Sequence, residues 1–271
     1  MPTKLRRPRA TSVVSPFGRP GPSWVTIADE HVYTIPDVPI TCWICGDPGD
    51  TGEHMIKRSD LKALFGPHVS QDRPLYVNSA TQRNQKIGST KAKKLKFRSR
   101  LCSNCNNDRT ANSDESWRVL SEFLQKPFTG LNLGQRILNP AELPGTGERS
   151  MLEVHLYFVK YFGCCIVDST IPIDIVPFRE AIIHKKPHPN LYLTFGLSKT
   201  DTQPTSAGRS NLDTNSTNGE CVLAQLRYAV GAVSVMVTYS APDHKPRNGW
   251  HLWHPTESDG FIFLHEFHFE E

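Results

Sequence analysis

Two Cys-x-x-Cys pairs, Cys42/Cys45 and Cys102/Cys105, constrain this chain more than any other feature. Two residues between cysteines let one tight turn present both sulfurs to a single ion. Two such turns complete a tetrahedral thiolate shell of the kind Zn²⁺ prefers. A metal held this way supplies folding energy to a segment too charged to close by itself. Fifty-six residues separate Cys45 from Cys102, so a sizeable element is expected between the knuckles. Cys164, Cys165 and Cys221 do not extend the pattern. The first two lie in an apolar run and are expected to be buried thiols. No apolar secretion signal is visible, so paired cysteines imply metal rather than disulfides, and the expected location is cytoplasmic.

The charge distribution narrows the partner. Over 271 residues the net charge is only +4, and 38% of residues are hydrophobic, enough for a core. Between Lys57 and Arg109, however, thirteen Lys and Arg face three Asp, a local net of +10. Residues 82–100 carry Arg83, Lys86, Lys91, Lys93, Lys94, Lys96, Arg98 and Arg100 and no acid. Such a run is either a solvated loop or a phosphate-binding face; beside the knuckles, DNA is the expected partner, with salt-sensitive affinity. The longest apolar stretch, residues 229–237, is far shorter than the roughly 20 residues a membrane-spanning helix needs, so no membrane is expected. Nothing in the sequence specifies oligomeric state or base readout.

Composition divides the chain into three. Residues 1–35 are basic and proline-rich and read as a flexible arm. Residues 36–147 hold the knuckles and most of the positive charge. A Pro/Gly-rich run at 140–147 reads as a boundary, and 148–271 reads as a separate C-terminal α+β domain. Within it a buried helix is expected over 151–162, the start of a strand at 171–176 and a short helix over 178–184. Strands are expected over 191–195, 221–228, 233–239 and 261–269, and a Ser/Thr/Asn-rich loop over 201–219. In the last strand Phe261, Phe263, His265, Phe267 and Phe269 share one face, read as an aromatic core face. On that reading His251, His254, His265 and His268 make a second metal site the weaker alternative.

Chemistry gathers beside the knuckles. Glu53-His54 follows the first pair, and Asn106-Asn107-Asp108-Arg109-Thr110 follows the second directly. A shared metal would bring both segments together. Glu53 and Asn106 offer hard oxygen ligands suited to Mg²⁺ or Mn²⁺. His54 offers a base that titrates near neutrality. Glu53 is read as a metal ligand or as an orienter of His54, and Asn106 as a metal ligand, a helix cap or both. Asn107 and Asp108 read as turn or cap residues.

This order of residues resembles the zinc-containing HNH endonucleases, whose core is the ββα-metal motif. The resemblance covers residues 41–110. It implies an α+β fold in which a ββα-metal zinc-knuckle domain precedes the C-terminal domain. It also implies a metal-dependent endonuclease hydrolysing DNA phosphodiester bonds, with a structural Zn²⁺ on Cys42, Cys45, Cys102 and Cys105. His54 would be the general base, Glu53 and Asn106 would hold a catalytic Mg²⁺ or Mn²⁺, and Arg109 would contact phosphate. The chain departs from the family in having no Asn in residues 97–101 and in a long insertion over 70–100. The alternative is a degenerate scaffold that binds DNA or a partner without cleaving it.

Overall fold

The computed structural model describes residues 23–28, 40–66, 69–70, 74–78, 83–125, 136–138, 148–197, 205–214, 219–244, 251–256 and 261–266. Its strands are β1 (Ser23–Ala28), β2 (Leu75–Asn78), β3 (Gln85–Ile87), β4 (Arg136–Leu138), β5 (Leu191–Leu197), β6 (Thr205–Thr214), β7 (Cys221–Val230), β8 (Val233–Ser240) and β9 (Phe261–Glu266). Its α-helices are α1 (Arg58–Phe65), α2 (Ala111–Gln125), α3 (Glu148–Ser169) and α4 (Val176–Ile183). The fold is mixed α+β, as the sequence implies. The strands form one sheet in the order β3-β2-β1-β6-β7-β8-β5-β9-β4. Its antiparallel centre is β6-β7-β8-β5, in which β7, β8 and β5 are largely apolar runs buried on both faces.

The helices follow from their apolar spacing. In α2 the buried positions Ser113, Trp117, Leu120, Ser121 and Leu124 form one helical stripe. Helix α3 is buried throughout residues 153–166, so it lies inside the molecule rather than on it. Tyr157 and Phe158 pack on Trp117 with ring centroids 5.6 and 4.8 Å away, and Tyr161 meets Tyr228 of β7 at 5.4 Å. Gly163 lets α3 pass close to the first knuckle: a Cβ there would lie 2.4 Å from the Trp43 ring. Gly231, at φ +57°, opens the tight turn between β7 and β8. Among the described residues no helix is long and apolar enough to cross a membrane.

Several expectations are corrected. The described residues do not divide near 147. One hydrophobic core runs from Cys42 to Leu264. Asp60 of α1, 2% exposed, accepts hydrogen bonds from Trp117 (3.1 Å) and from Tyr228 of β7 (2.7 Å). The composition change at 140–147, itself outside the described residues, therefore marks a connection rather than a core boundary. Within 1–35, β1 is a strand that pairs in parallel with both β2 and β6. Residues 205–214 are strand β6, paired with β7 from Ser206↔Ala229 to Thr214↔Cys221. Its polar composition hides a strand that pairing, not propensity, creates. Residues 171–176 turn into α4 instead of starting a strand; the Asp174 carboxylate accepts the Val176 N–H at 2.9 Å and Pro177 follows in the first turn.

In β9 the alternation has the opposite phase. Ile262 and Leu264 face the core, while Phe263 and His265 stack on each other, half-buried, at 4.7 Å. Phe267, His268 and Phe269 lie outside the described residues. The remaining C-terminal elements match their expected places, and Cys164 and Cys165 are buried.

Candidate functional site

The site is built on a short ribbon and a helix. Residues 51–54 run antiparallel to 96–101: the Leu101 N–H donates to the Thr51 carbonyl at 3.1 Å, the Phe97 N–H to that of Glu53 at 2.9 Å and the Met55 N–H to that of Leu95 at 2.9 Å. The chain then turns through the second Cys pair and a π-helical turn, Asn104–Arg109, into α2. The layout is ribbon, then helix, with a Cys knuckle at each root.

The four expected sulfurs converge. The ligand atoms of Cys42, Cys45, Cys102 and Cys105 all lie within 4.8 Å of one another, so the cluster can hold a metal ion such as zinc. Among the described residues they are the only such group of His, Cys, Asp or Glu. Backbone geometry forms the knuckles: the Gly46 N–H reaches the Cys42 carbonyl at 2.8 Å, and the Cys105 N–H points at the Cys102 sulfur at 3.3 Å. Burial pushes the Cys45 thiol up to about 11. For Cys102 burial works in the same direction but is overcome by hydrogen bonds from the Cys105 N–H and the Cys45 thiol, which hold it below the ordinary thiol range. A divalent cation is the charge that would stabilise four thiolates together.

Glu53, His54 and Asn106 line one pocket of about 410 Å³, together with Thr51, Lys57, Arg58, Lys96, Asn107 and Asp114. His54 Nε2 lies 3.2 Å from the Thr90 carbonyl oxygen. A carbonyl can only accept, so Nε2 carries the proton and Nδ1 keeps its lone pair. Burial first, then the Lys96 and Arg58 charges, lower the His54 pKa to about 4. The ring is therefore neutral at physiological pH, the form a base needs.

Asn106 donates from its amide to the Thr51 hydroxyl at 3.1 Å, while its buried Oδ1 has no hydrogen-bond partner. Its side chain caps no helix. An orphaned, buried amide oxygen on the pocket wall fits a hard cation's first shell. Asn107, read as a turn residue, also lines the pocket, whereas Asp108 is exposed.

Glu53 stands differently from expectation. Its carboxylate pairs with Lys160 of α3 at 3.2 Å. The Lys160 ammonium, 1% exposed, also lies 3.0 Å from both Asp114 oxygens and 3.2 Å from the Thr110 hydroxyl. Burial works against the Lys160 charge, but Glu53 and Asp114 overcome it and hold its pKa above the usual lysine range. Lys57 adds a second cation 3.6 Å from Asp114.

The basic residues divide. Lys96 faces the pocket, joined by Lys57 and Arg58. Arg83, Lys86, Lys91, Lys93, Lys94 and Arg100 are exposed outside it, with Lys94 bonded to Gln85. Arg98 is tied to Asp168 at the end of α3, its backbone N–H to the carboxylate and its guanidinium to the carbonyl, each at 3.1 Å. Arg109 is half-buried, and its carbonyl accepts from Lys185 at 2.7 Å. Sequence reading missed Asp114 and Lys160 as site residues. The available signal was Lys160 itself, the lone lysine in the apolar run 151–162.

No family model, curated protein or solved structure matches this chain.

Proposed function

We propose that this protein is a metal-dependent endonuclease of the HNH type, hydrolysing DNA phosphodiester bonds beside a four-cysteine zinc site. The observation that carries the reading is a neutral His54, held through Nε2 by the Thr90 carbonyl, in one pocket with Glu53, Asn106 and three cationic side chains. His54 takes the proton from the attacking water through Nδ1, while the Thr90 carbonyl keeps the ring in the required tautomer. Lys57, Arg58 and Lys96 orient the scissile phosphate. Asn106 Oδ1 and the free side of Glu53 would hold Mg²⁺ or Mn²⁺, which when bound stabilises the leaving oxygen. The exposed lysines beyond the pocket add phosphate contacts that are not sequence-specific.

One observation favours the alternative, a zinc protein that binds DNA without cutting it: Glu53 already has a cation in Lys160. Plasmid nicking with Mg²⁺ or Mn²⁺ separates the two. Wild type should nick, and His54→Ala should lose about 10²–10⁴ in rate while binding DNA unchanged. A wild type that binds DNA but cuts no duplex or single strand with either ion would leave the non-cleaving reading standing.

A further inference from the structure

We propose that Lys160 is a built-in counter-cation of the site: it positions Glu53 and sets how tightly the pocket holds a divalent ion. The inference rests on the reading of Glu53 as a metal ligand. Lys160 comes from α3, 107 residues along the chain from Glu53, and its ammonium is the buried centre that both carboxylates share. Glu53 and Asp114 both line the pocket, and both pair with Lys160. Lys57, on the pocket side, also faces Asp114. Lys160 and Lys57 balance the two acids, and Arg58 and Lys96 add further positive charge on the pocket wall.

An arriving divalent ion therefore meets carboxylates whose charge is already balanced. It gains from Glu53 only what Lys160 leaves, together with the orphaned Asn106 oxygen. Holding the ion weakly has a chemical use: it can enter with the phosphate and leave with the product. The ammonium also fixes the Glu53 Oε2 oxygen and so restrains the carboxylate's orientation at the pocket. Removing the lysine charge leaves Glu53 without its paired cation and Asp114 with Lys57 alone as ion-pair partner. A unit charge lost next to a divalent-ion site is worth at least about tenfold in affinity even in a water-like dielectric.

The test is Mn²⁺ binding to the full-length, zinc-loaded chain, read by electron paramagnetic resonance of free Mn²⁺. Lys160→Met should bind Mn²⁺ at least about tenfold more tightly than wild type. Lys160→Arg should show no such gain, and Lys160→Met/Glu53→Gln should lose it. A purely structural lysine would give the opposite sign, because a loosened pocket binds metal less well. If Lys160→Met does not fold, Asp114→Asn and Lys160→Met/Asp114→Asn replace the comparison, since the pair removes one acid with the base; the double variant should still bind more tightly than Asp114→Asn alone. Unchanged or weaker Mn²⁺ affinity in the folded variants overturns the proposal. Nuclease activity is measured separately. Tighter Mn²⁺ binding in a protein that cuts nothing supports the role of Lys160 and sinks the nuclease reading; cleavage by wild type without the affinity gain does the reverse.

Discussion

Helix α3 feeds two buried polar clusters built on opposite principles. At Lys160 the groups are charged, balanced against one another and open to a pocket. At His155, five residues earlier, they are neutral and closed. His155 Nε2 accepts the His188 backbone N–H at 3.1 Å, and His188 Nδ1 accepts that of Asn190 at 3.2 Å. His254 Nδ1 accepts the N–H of Thr256 at 3.3 Å, while its Nε2 meets the His188 carbonyl at 2.9 Å. An imidazole nitrogen that accepts from a backbone amide cannot also carry a proton, so these contacts favour the neutral form of His155 and His188. The three rings are 0%, 1% and 5% exposed. Nearby, His265 accepts the His251 N–H at 3.0 Å, a further backbone contact; among the described residues His251, His254 and His265 form no metal-holding group, and His268 lies outside them. Histidines closed by backbone amides belong to the fold. Charge kept buried at the edge of a cavity, at a cost that burial alone would not repay, points to chemistry.

The severest way to break this contrast is to empty the four-cysteine cluster. Elemental analysis should find about one zinc per chain. Structural zinc contributes an apparent ~10–16 kcal/mol in small domains, comparable with the ~5–15 kcal/mol that holds a whole domain folded. Since one core joins Cys42 to Leu264, Cys105→Ser should lose both clusters in a single calorimetric transition. A second transition surviving metal loss would return the C-terminal half to the status of a separate unit. Next in size is a pair of histidine substitutions with opposite effects. His54→Ala should lose about 10²–10⁴ in cleavage rate with a smaller loss of stability, since it releases only the Thr90 carbonyl. His254→Ala should keep the cleavage rate and lose about 2–3 kcal/mol of stability in urea, because it orphans buried backbone groups. Equal effects from both would erase the distinction between the clusters.

What could be read from sequence was what lies beside the cysteines. Glu53, His54 and Asn106 sit within about ten residues of a Cys, so the knuckles themselves place them, and all three share the pocket. Lys160 is 55 residues beyond Cys105, and nothing local says which carboxylate a buried lysine will meet. Long-range packing decides that, through the passage of α3 over Trp43 at Gly163. The same limit hid β6, whose polar residues become a strand only when β7 lies beside them. It also inverted β9, where alternation was visible but not which face the core would cover. The division at 147 failed for a related reason: composition changes along a chain, whereas a core is assembled across it.

Acid separates the two clusters further. Burial, then the neighbouring His254, lowers the His188 pKa to about 4, and burial, then His254 and His188, lowers that of His155 well below the ordinary histidine value. In the unfolded chain both titrate near 6.5. Between about pH 6.5 and 4 the unfolded state thus binds more protons, and stability falls as pH falls. The loss from His188 alone reaches about 3 kcal/mol at the acid end of that window. Urea midpoints measured from pH 7 to pH 4 should decline in wild type and decline less steeply in His188→Gln. A midpoint independent of pH would mean the rings accept protons without breaking their backbone contacts.

The smallest effect lies at the surface, where the charged cluster continues into the basic loop and the histidine cluster has no counterpart. Each lysine that neutralises a DNA phosphate adds about 0.9 to the slope of log affinity against log salt. Lys91, Lys93 and Lys94 are exposed and outside the pocket, so replacing all three with Gln should lower the slope by up to about 3 and leave the rate at saturating DNA unchanged. Lys96 lines the pocket and is one of the charges holding the His54 pKa down. Lys96→Gln should therefore lower the slope by only about 1, yet shift the acid limb of the rate profile upward, because a more easily protonated His54 loses its base form at higher pH. Arg98 is tied to Asp168, so Arg98→Gln should change neither slope nor profile. If the triple variant and Arg98→Gln bind with the same salt dependence as wild type, the loop is only a solvated surface, and the charge that matters for DNA ends at the rim of the pocket.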